Sequence, residues 1–171
     1  LDHWMRSLQG HYGAVYQDMA NDIYGGLSEA LNDLQKYDKL HVVTLSNSLY
    51  GSLIAAGVER FAMDNNINVE FHYEVNAEML KKGGVYLLLN GQLGFGLVEI
   101  ARYANAMGLT IGSDIGIISY NDSYLSEVIL GGLTTVSTDF AQMGKLAAEM
   151  VISRNLEKIK CDFRITRRNT F

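Results

Sequence analysis

Apolar residues along the 171-residue chain fall into two alternating patterns. Short, nearly continuous apolar runs occur at Leu40–Leu45 (LHVVTL), Val85–Leu89 (VYLLL), Asp114–Tyr120 (DIGIISY) and Leu133–Ser137 (LTTVS). Runs of this length suit strands covered on both faces. Tyr12–Tyr16 and Phe163–Ile165 read as shorter strands, and Val69–Val75 alternates as a strand does. Between the strands the spacing becomes helical. Ile23, Leu27, Ala30, Leu31 and Leu34 predict a helix over Met19–Tyr37; Leu53, Ile54, Gly57, Val58 and Phe61 predict another over Tyr50–Asp64. Gln92–Met107 and Asp139–Ser153 complete the long helices, with a short one at Asn76–Lys81. Asp18 or Asn21 suits the first cap, Asn47 or Ser48 the second, and Asp139 the last, while Gly108 suits a helix stop. Strands alternating with helices of about 15 residues specify parallel βαβ units with right-handed crossovers, hence an α/β fold with parallel sheets flanked by helices.

Composition narrows the class. At 48% apolar and 19% charged residues, the chain can bury a core. No apolar run is long enough for a membrane-spanning helix, and no signal-peptide pattern follows Leu1. The single Cys161 forms no internal disulfide, which favours a reducing, cytoplasmic setting. A net charge of −5 lacks the basic footprint of a nucleic-acid binder. The one basic stretch, Lys158, Lys160, Arg164, Arg167 and Arg168, reads as solvated surface. The chain has 17 glycines and no proline, so glycine shapes its turns.

Ligands of such sheets bind at the carboxyl ends of the strands. Ser46, Asn47 and Ser48, with Tyr50 just beyond, end the first buried strand; Asn90, Gly91 and Gln92 end the second. Tyr120–Ser123 end the third, and Thr138, Asp139 and Phe140 follow the fourth. Amides and carboxylates there can bind vicinal hydroxyls, while an aromatic face covers the apolar face of a sugar ring. Each Asn or Asp taken singly is a turn cap; the set is a candidate site. Gly91–Gly96 has the order GxxGxG, not the dinucleotide GxGxxG, and suits close helix packing. His3, His11, His41 and His72 show no metal-ligand spacing, so no metal or cofactor is expected; His41 and His72 read as structural. The sequence has no GxSxG elbow and no phosphate-binding GxxxxGK[ST] loop.

The stretch Gly108-Leu109-Thr110-Ile111-Gly112-Ser113-Asp114-Ile115-Gly116-Ile117-Ile118-Ser119-Tyr120-Asn121-Asp122 resembles the G-x-x-I-P-x-D-I-x-V-x-G-Y-D-D segment of LacI/GalR-type effector domains. Leu133-Thr134-Thr135-Val136, with Asp139-Phe140 and Met143-Gly144, is similar to that family's LTTV…MG segment, and Arg168-Asn169-Thr170 to its closing R-x-S/T strand. Gly57 with Phe61, and Asn90 before a helix, fit more weakly. The wording at residues 118–122 and 137–140 most resembles hybrids in which a GntR-type winged helix carries a LacI-like sensor.

The resemblance covers residues 12–171 and implies a periplasmic-binding-protein-like type I fold, two lobes with a small molecule between them. It implies that Asn121 and Asn90 bind ligand hydroxyls and that Thr138 and Phe140 line the cleft, with Asp18 a looser match from the other lobe. Ile54 stands where many members have arginine, and Gly91 where they have an acidic residue, so no acidic or standard hexose effector is carried over. On this reading residues 1–37 and 139–155 belong to an incomplete first lobe, 39–120 form the second, and 156–171 close the fold. The implied protein is a homodimeric, non-enzymatic, sugar-sensing regulator that meets DNA only through a domain outside this chain. Rivals are an exported solute-binding protein and a Rossmann-like enzyme using Gly91–Gly96. Gly112, Gly131 and Gly132 occupy turns where the family places proline, and are expected to keep those turns with a looser backbone.

Overall fold

The computed structural model of the chain describes Asp2 and residues 9–44, 48–89 and 95–171. Among the described residues the strands form two sheets. The larger has the order β3-β2-β4-β5-β6-β8, built from β2 (Lys39–Val43), β3 (Val69–His72), β4 (Gly84–Leu88), β5 (Gly116–Tyr120), β6 (Thr134–Thr138) and β8 (Phe163–Thr166). All neighbours in it are parallel except β6 and β8. The smaller sheet pairs β1 (Ala14–Tyr16) with β7 (Lys158–Lys160), also in parallel.

Every residue of β4, β5 and β6 is buried, as the unbroken apolar runs require. On one face, α1 (Met19–Glu29) and α3 (Leu49–Asn65) close a core of Ile23, Leu27, Val58 and Phe61 over Val42, Leu87 and Val136. On the other, α4 (Phe95–Ala106) contributes Leu97, Ile100 and Ala104 to a core with Tyr86, Leu88 and Ile117. The buried Tyr86 hydroxyl donates to the Met79 carbonyl and accepts from Lys81 N–H, so the aromatic ring enters the core without an orphaned polar tip. Helix α5 (Phe140–Ser153) packs on the small sheet, where Met143 and Met150 bury Val15 and Cys161.

Most expected elements are present, several of them shortened. The helix expected over Met19–Tyr37 breaks at Ala30 and resumes as the one-turn α2 (Leu31–Leu34). Arg167 explains the break: its guanidinium takes the Glu29 carbonyl at 2.6 Å, and the Asp33 N–H turns to Ala30 instead. Asn76 caps only a 3-10 turn, Ala77–Met79, in place of the short α-helix. Ser48 caps α3 by accepting from Gly51 N–H at 3.0 Å, and Asp139 caps α5 through Gln142 N–H. Helix α1, grouped by sequence with the first lobe, packs against α3 and β8 of the large sheet. Of the residues assigned to that lobe, β1 and α5 form the smaller body. The closing segment serves both, β7 in one sheet and β8 in the other.

The proline-replacing glycines are not simply looser versions of proline. Gly112, Gly131 and Gly132 have φ of 89°, 75° and 126°, a region closed to proline and strained for any side chain. At Gly112 a Cβ would also strike the Asn169 carbonyl.

A different demand falls on Gly57. A Cβ there would collide with the Ala20 carbonyl oxygen and the Ile23 methyl, so glycine sets how closely α1 and α3 approach. Gly57→Ala is expected to lower the unfolding free energy by about 1–3 kcal/mol in urea titrations. Gly25→Ala, in the same helix pair but with open space at its Cβ, should be neutral or stabilising by up to about 1 kcal/mol.

Candidate functional site

Three chain crossings join the two bodies: β1 into α1, β6 into α5, and β7 into β8. Beside them, at the carboxyl ends of β2, β4 and β5, lies a cleft of about 480 Å3. The size suits one small molecule. Parallel register puts these ends side by side, with Val43 opposite Leu88 and Leu88 opposite Ser119. The walls come from the first turns of three helices (Met19 of α1, Tyr50 and Gly51 of α3, Phe140 and Met143 of α5), together with Gln17, Ser48, Leu89, Tyr120 and Asn121. Helix N-termini carry partial positive charge, and Asp2 adds a carboxylate to the same lining, so the cleft offers both donor and acceptor groups.

Of the residues singled out from sequence, Tyr50, Asn121 and Phe140 meet in this cleft. Asn121 sits just past β5 with φ of 71°, a left-handed conformation that asparagine tolerates better than most residues. Its N–H is fixed to the Val136 carbonyl at 2.8 Å. Phe140 is 45% exposed and also borders an adjoining hollow of about 460 Å3. Thr138 does not line this cleft but borders the adjoining hollow beside Phe140. Its buried hydroxyl donates to Gln17 Oε1 at 2.6 Å, and the Gln17 amide in turn donates to Asp2. Asp18 turns its carboxylate to Asn21 at 2.7 Å, outside the cleft lining. Asn90 and Gly91–Gly94 lie outside the described residues.

Sequence reading missed Gln17. It follows a three-residue strand, has no motif of its own, and acquires its place only through a partner 121 positions away. Two further polar atoms stand out. The Tyr120 hydroxyl and Thr44 Oγ1 are buried without a hydrogen-bond partner among the described residues, one lining the cleft and the other against Gly51. Buried hydroxyls are nearly always satisfied, which marks the Tyr120 hydroxyl, on a cleft-lining residue, as unusual among the described residues. Burial pushes the Tyr120 phenol above its ordinary range.

The basic stretch is engaged within the molecule. Lys160 of β7 reaches Asp22 in α1 at 2.6 Å, across the junction of the two bodies, where the Asp22 side chain is almost wholly buried. Burial works against the Lys160 ammonium, but Asp22 outweighs it and holds its pKa above the usual value. Arg167 pairs with Asp33, Arg164 with Asp139, and Lys158 sits 4.1 Å over the Tyr12 ring. Arg168 grips Asp122 through two hydrogen bonds of 3.1 and 2.9 Å, and so ties the loop after Asn121 to the C-terminal segment.

Burial alone would raise the Asp122 pKa; hydrogen bonding and charge from Arg168 reverse this and leave it below the ordinary 3.8. A depressed carboxylate contributes stability above its unfolded pKa and loses it as pH falls through the folded one. Asp122→Asn is therefore expected to cost about 1–3 kcal/mol at neutral pH. In denaturant titrations the gap from wild type should narrow as pH drops below about 4. A gap independent of pH would mean that charge is not what holds the loop.

Residues 95–161, less than half of the chain, match the model of the periplasmic binding protein-like domain family. No curated protein matches in sequence. Among solved structures, the chain is similar to the Escherichia coli transcriptional repressor ascG, with a TM-score of 0.75 at 14% identity over 99% of this chain and 67% of that one. A LacI family transcriptional regulator from Enterococcus faecium with bound ribose gives 0.72 at 20% identity, over 96% and 67%. A periplasmic binding protein/LacI transcriptional regulator from Alkaliphilus metalliredigens complexed with D-xylulofuranose gives 0.67 at 15% identity, over 94% and 66%. The chain thus spans about two thirds of the length of these structures. At such identities the likeness is one of fold, and the fold is the periplasmic-binding-protein-like type I α/β fold in part.

Proposed function

We propose that this chain is the ligand-sensing part of a bacterial transcriptional regulator and binds a sugar or similar small polyol between its two bodies. The observation that carries the reading is the cleft. Gln17, Asn121 and Tyr120 line it together with the aromatic residues Tyr50 and Phe140, beside the crossings between the two sheets. Hydroxyl-binding groups facing aromatic surface match a ligand with polar edges and apolar faces. The solved structures with ribose and D-xylulofuranose support the same class of ligand.

Ligand touching both bodies would favour a closed arrangement in proportion to its extra contacts there, and that shift would be passed to DNA-binding domains carried elsewhere. The wording of residues 118–122 and 137–140 favours a GntR-type winged helix as that partner domain. Asn90, outside the described residues, is proposed to complete the hydroxyl-binding set, and Asp18 and Thr138 to hold its frame. No chemical step is assigned to the cleft. No helix among the described residues is long and apolar enough to cross a membrane, in keeping with a cytoplasmic regulator. Exposed Val151 and Ile152 on α5 support self-association as a homodimer.

A thermal-shift screen of pentoses, hexoses, polyols and nucleotides tests the reading. A monosaccharide or polyol is expected to raise the melting temperature, and nucleotides are not. Nucleotide binding with no response to any sugar or polyol would overturn it. Phe140→Ala and Asn121→Ala should each weaken the identified ligand about tenfold or more, equivalent to about 1.4 kcal/mol. Their far-UV circular dichroism should match wild type, since Phe140 is half-exposed and Asn121 lies in a loop.

A further inference from the structure

A second cluster lies on the large sheet, and none of its residues lines the cleft. Parallel pairing of β2 with β3 sets Glu70 opposite His41 and His72 opposite Val43. Positions 41 and 43 share a face of β2, and 70 and 72 share one of β3, so both imidazoles and the carboxylate emerge together. His41 Nδ1 is 3.0 Å from His72 Nε2, and Glu70 Oε1 is 3.9 Å from the same His72 nitrogen. All three ligand atoms lie within 4.8 Å of one another. The other carboxylate oxygen, Oε2, accepts from Lys39 Nζ at 2.9 Å, which turns Oε1 toward the imidazoles.

We propose that His41, Glu70 and His72 form a binding site for a divalent transition cation of the zinc type. Zinc bonds imidazole nitrogen at about 2.0–2.1 Å and carboxylate oxygen at about 2.0–2.2 Å, so neighbouring donors around a tetrahedral ion stand about 3.3 Å apart. The nitrogen pair is within a few tenths of an ångström of that spacing, and Glu70 Oε1, 3.9 Å from His72 Nε2 and within 4.8 Å of His41 Nδ1, closes by up to about 1.5 Å on binding. Support from beneath is rigid. His41 is 5% exposed and stacks on the Tyr86 ring at 4.9 Å, and Tyr86 is itself anchored by two hydrogen bonds. Lys39 positions the carboxylate, as an outer partner does in metal sites.

One side of the cluster opens into a hollow of about 240 Å3, which leaves room for water as a fourth ligand. Three lysines (Lys39, Lys81, Lys82) and three carboxylates (Asp38, Glu70, Glu78) line that hollow, so it has no net charge to repel a cation. Lys82 is also paired outward with Asp114 at 2.8 Å. Two nitrogens and one oxygen select Zn2+, Co2+ or Ni2+ over the hard cation Mg2+. A bound ion would clamp the edge strand β3 to β2, a stabilising role independent of what the cleft binds.

The test is titration of chelator-treated protein with Zn2+, Co2+ and Mg2+, followed by calorimetry and thermal melting. One Zn2+ per chain is expected, with a rise in melting temperature, visible absorption typical of tetrahedral Co2+, and no response to Mg2+. His72→Gln and Glu70→Gln should each weaken Zn2+ at least tenfold, while His11→Asn and Cys161→Ser leave it unchanged. Absence of Zn2+ binding to wild type, or unchanged affinity in His72→Gln, overturns the proposal. Should His72→Gln melt without metal far below wild type, Glu70→Gln, half-exposed at the strand edge, decides the matter by the same readouts.

Discussion

Burial of β4, β5 and β6 on both faces, with β2 almost as deeply covered beside them, is the constraint from which the remaining geometry follows. A strand covered above and below must have helices on each side, and parallel pairing then requires every connection to return across the sheet. The carboxyl ends of β2 to β6 therefore gather along one edge, while antiparallel β8 ends at the other. At the first edge strand hydrogen bonding stops, and backbone turns, hydroxyls and amides meet with polar capacity that the sheet does not consume. The cleft is a consequence of this arrangement, and the Tyr120 hydroxyl at it has no hydrogen-bond partner among the described residues.

Fastening the two bodies falls to a few polar contacts at the crossings. Lys160 links β7 to the first turn of α1, while Thr138 at the end of β6 holds Gln17 at the end of β1. Both contacts draw one partner from each side of the junction, and Gln17 of the second also lines the cleft. The Asp122–Arg168 pair acts differently. It anchors the loop after β5 within one body and so keeps Asn121 in place whether or not the bodies move.

Strand β3 is one of the two edges of the large sheet, paired among the described residues with β2. Charged and imidazole side chains on that edge discourage pairing with other strands. The imidazole–carboxylate group over β2 and β3 thus has a structural setting of its own, governed by register instead of by the strand-end logic of the cleft.

Periodicity alone determined the α/β class, the approximate positions of the long helices and the strand ends at which the candidate site residues collect. It could do so because burial on one or two faces writes itself directly into apolar spacing. Tyr50, Asn121 and Phe140 were legible for the same reason: each follows a strand end. Contacts between distant segments were not legible. The break at Ala30 depends on Arg167, the place of Gln17 on Thr138, and the packing of α1 against α3 on the absence of a side chain at Gly57. Likewise, His41 and His72 carry no ligand spacing along the chain and meet only through the register of two strands. Local sequence encodes which face of an element is buried; which other element covers that face is settled only when the whole chain packs.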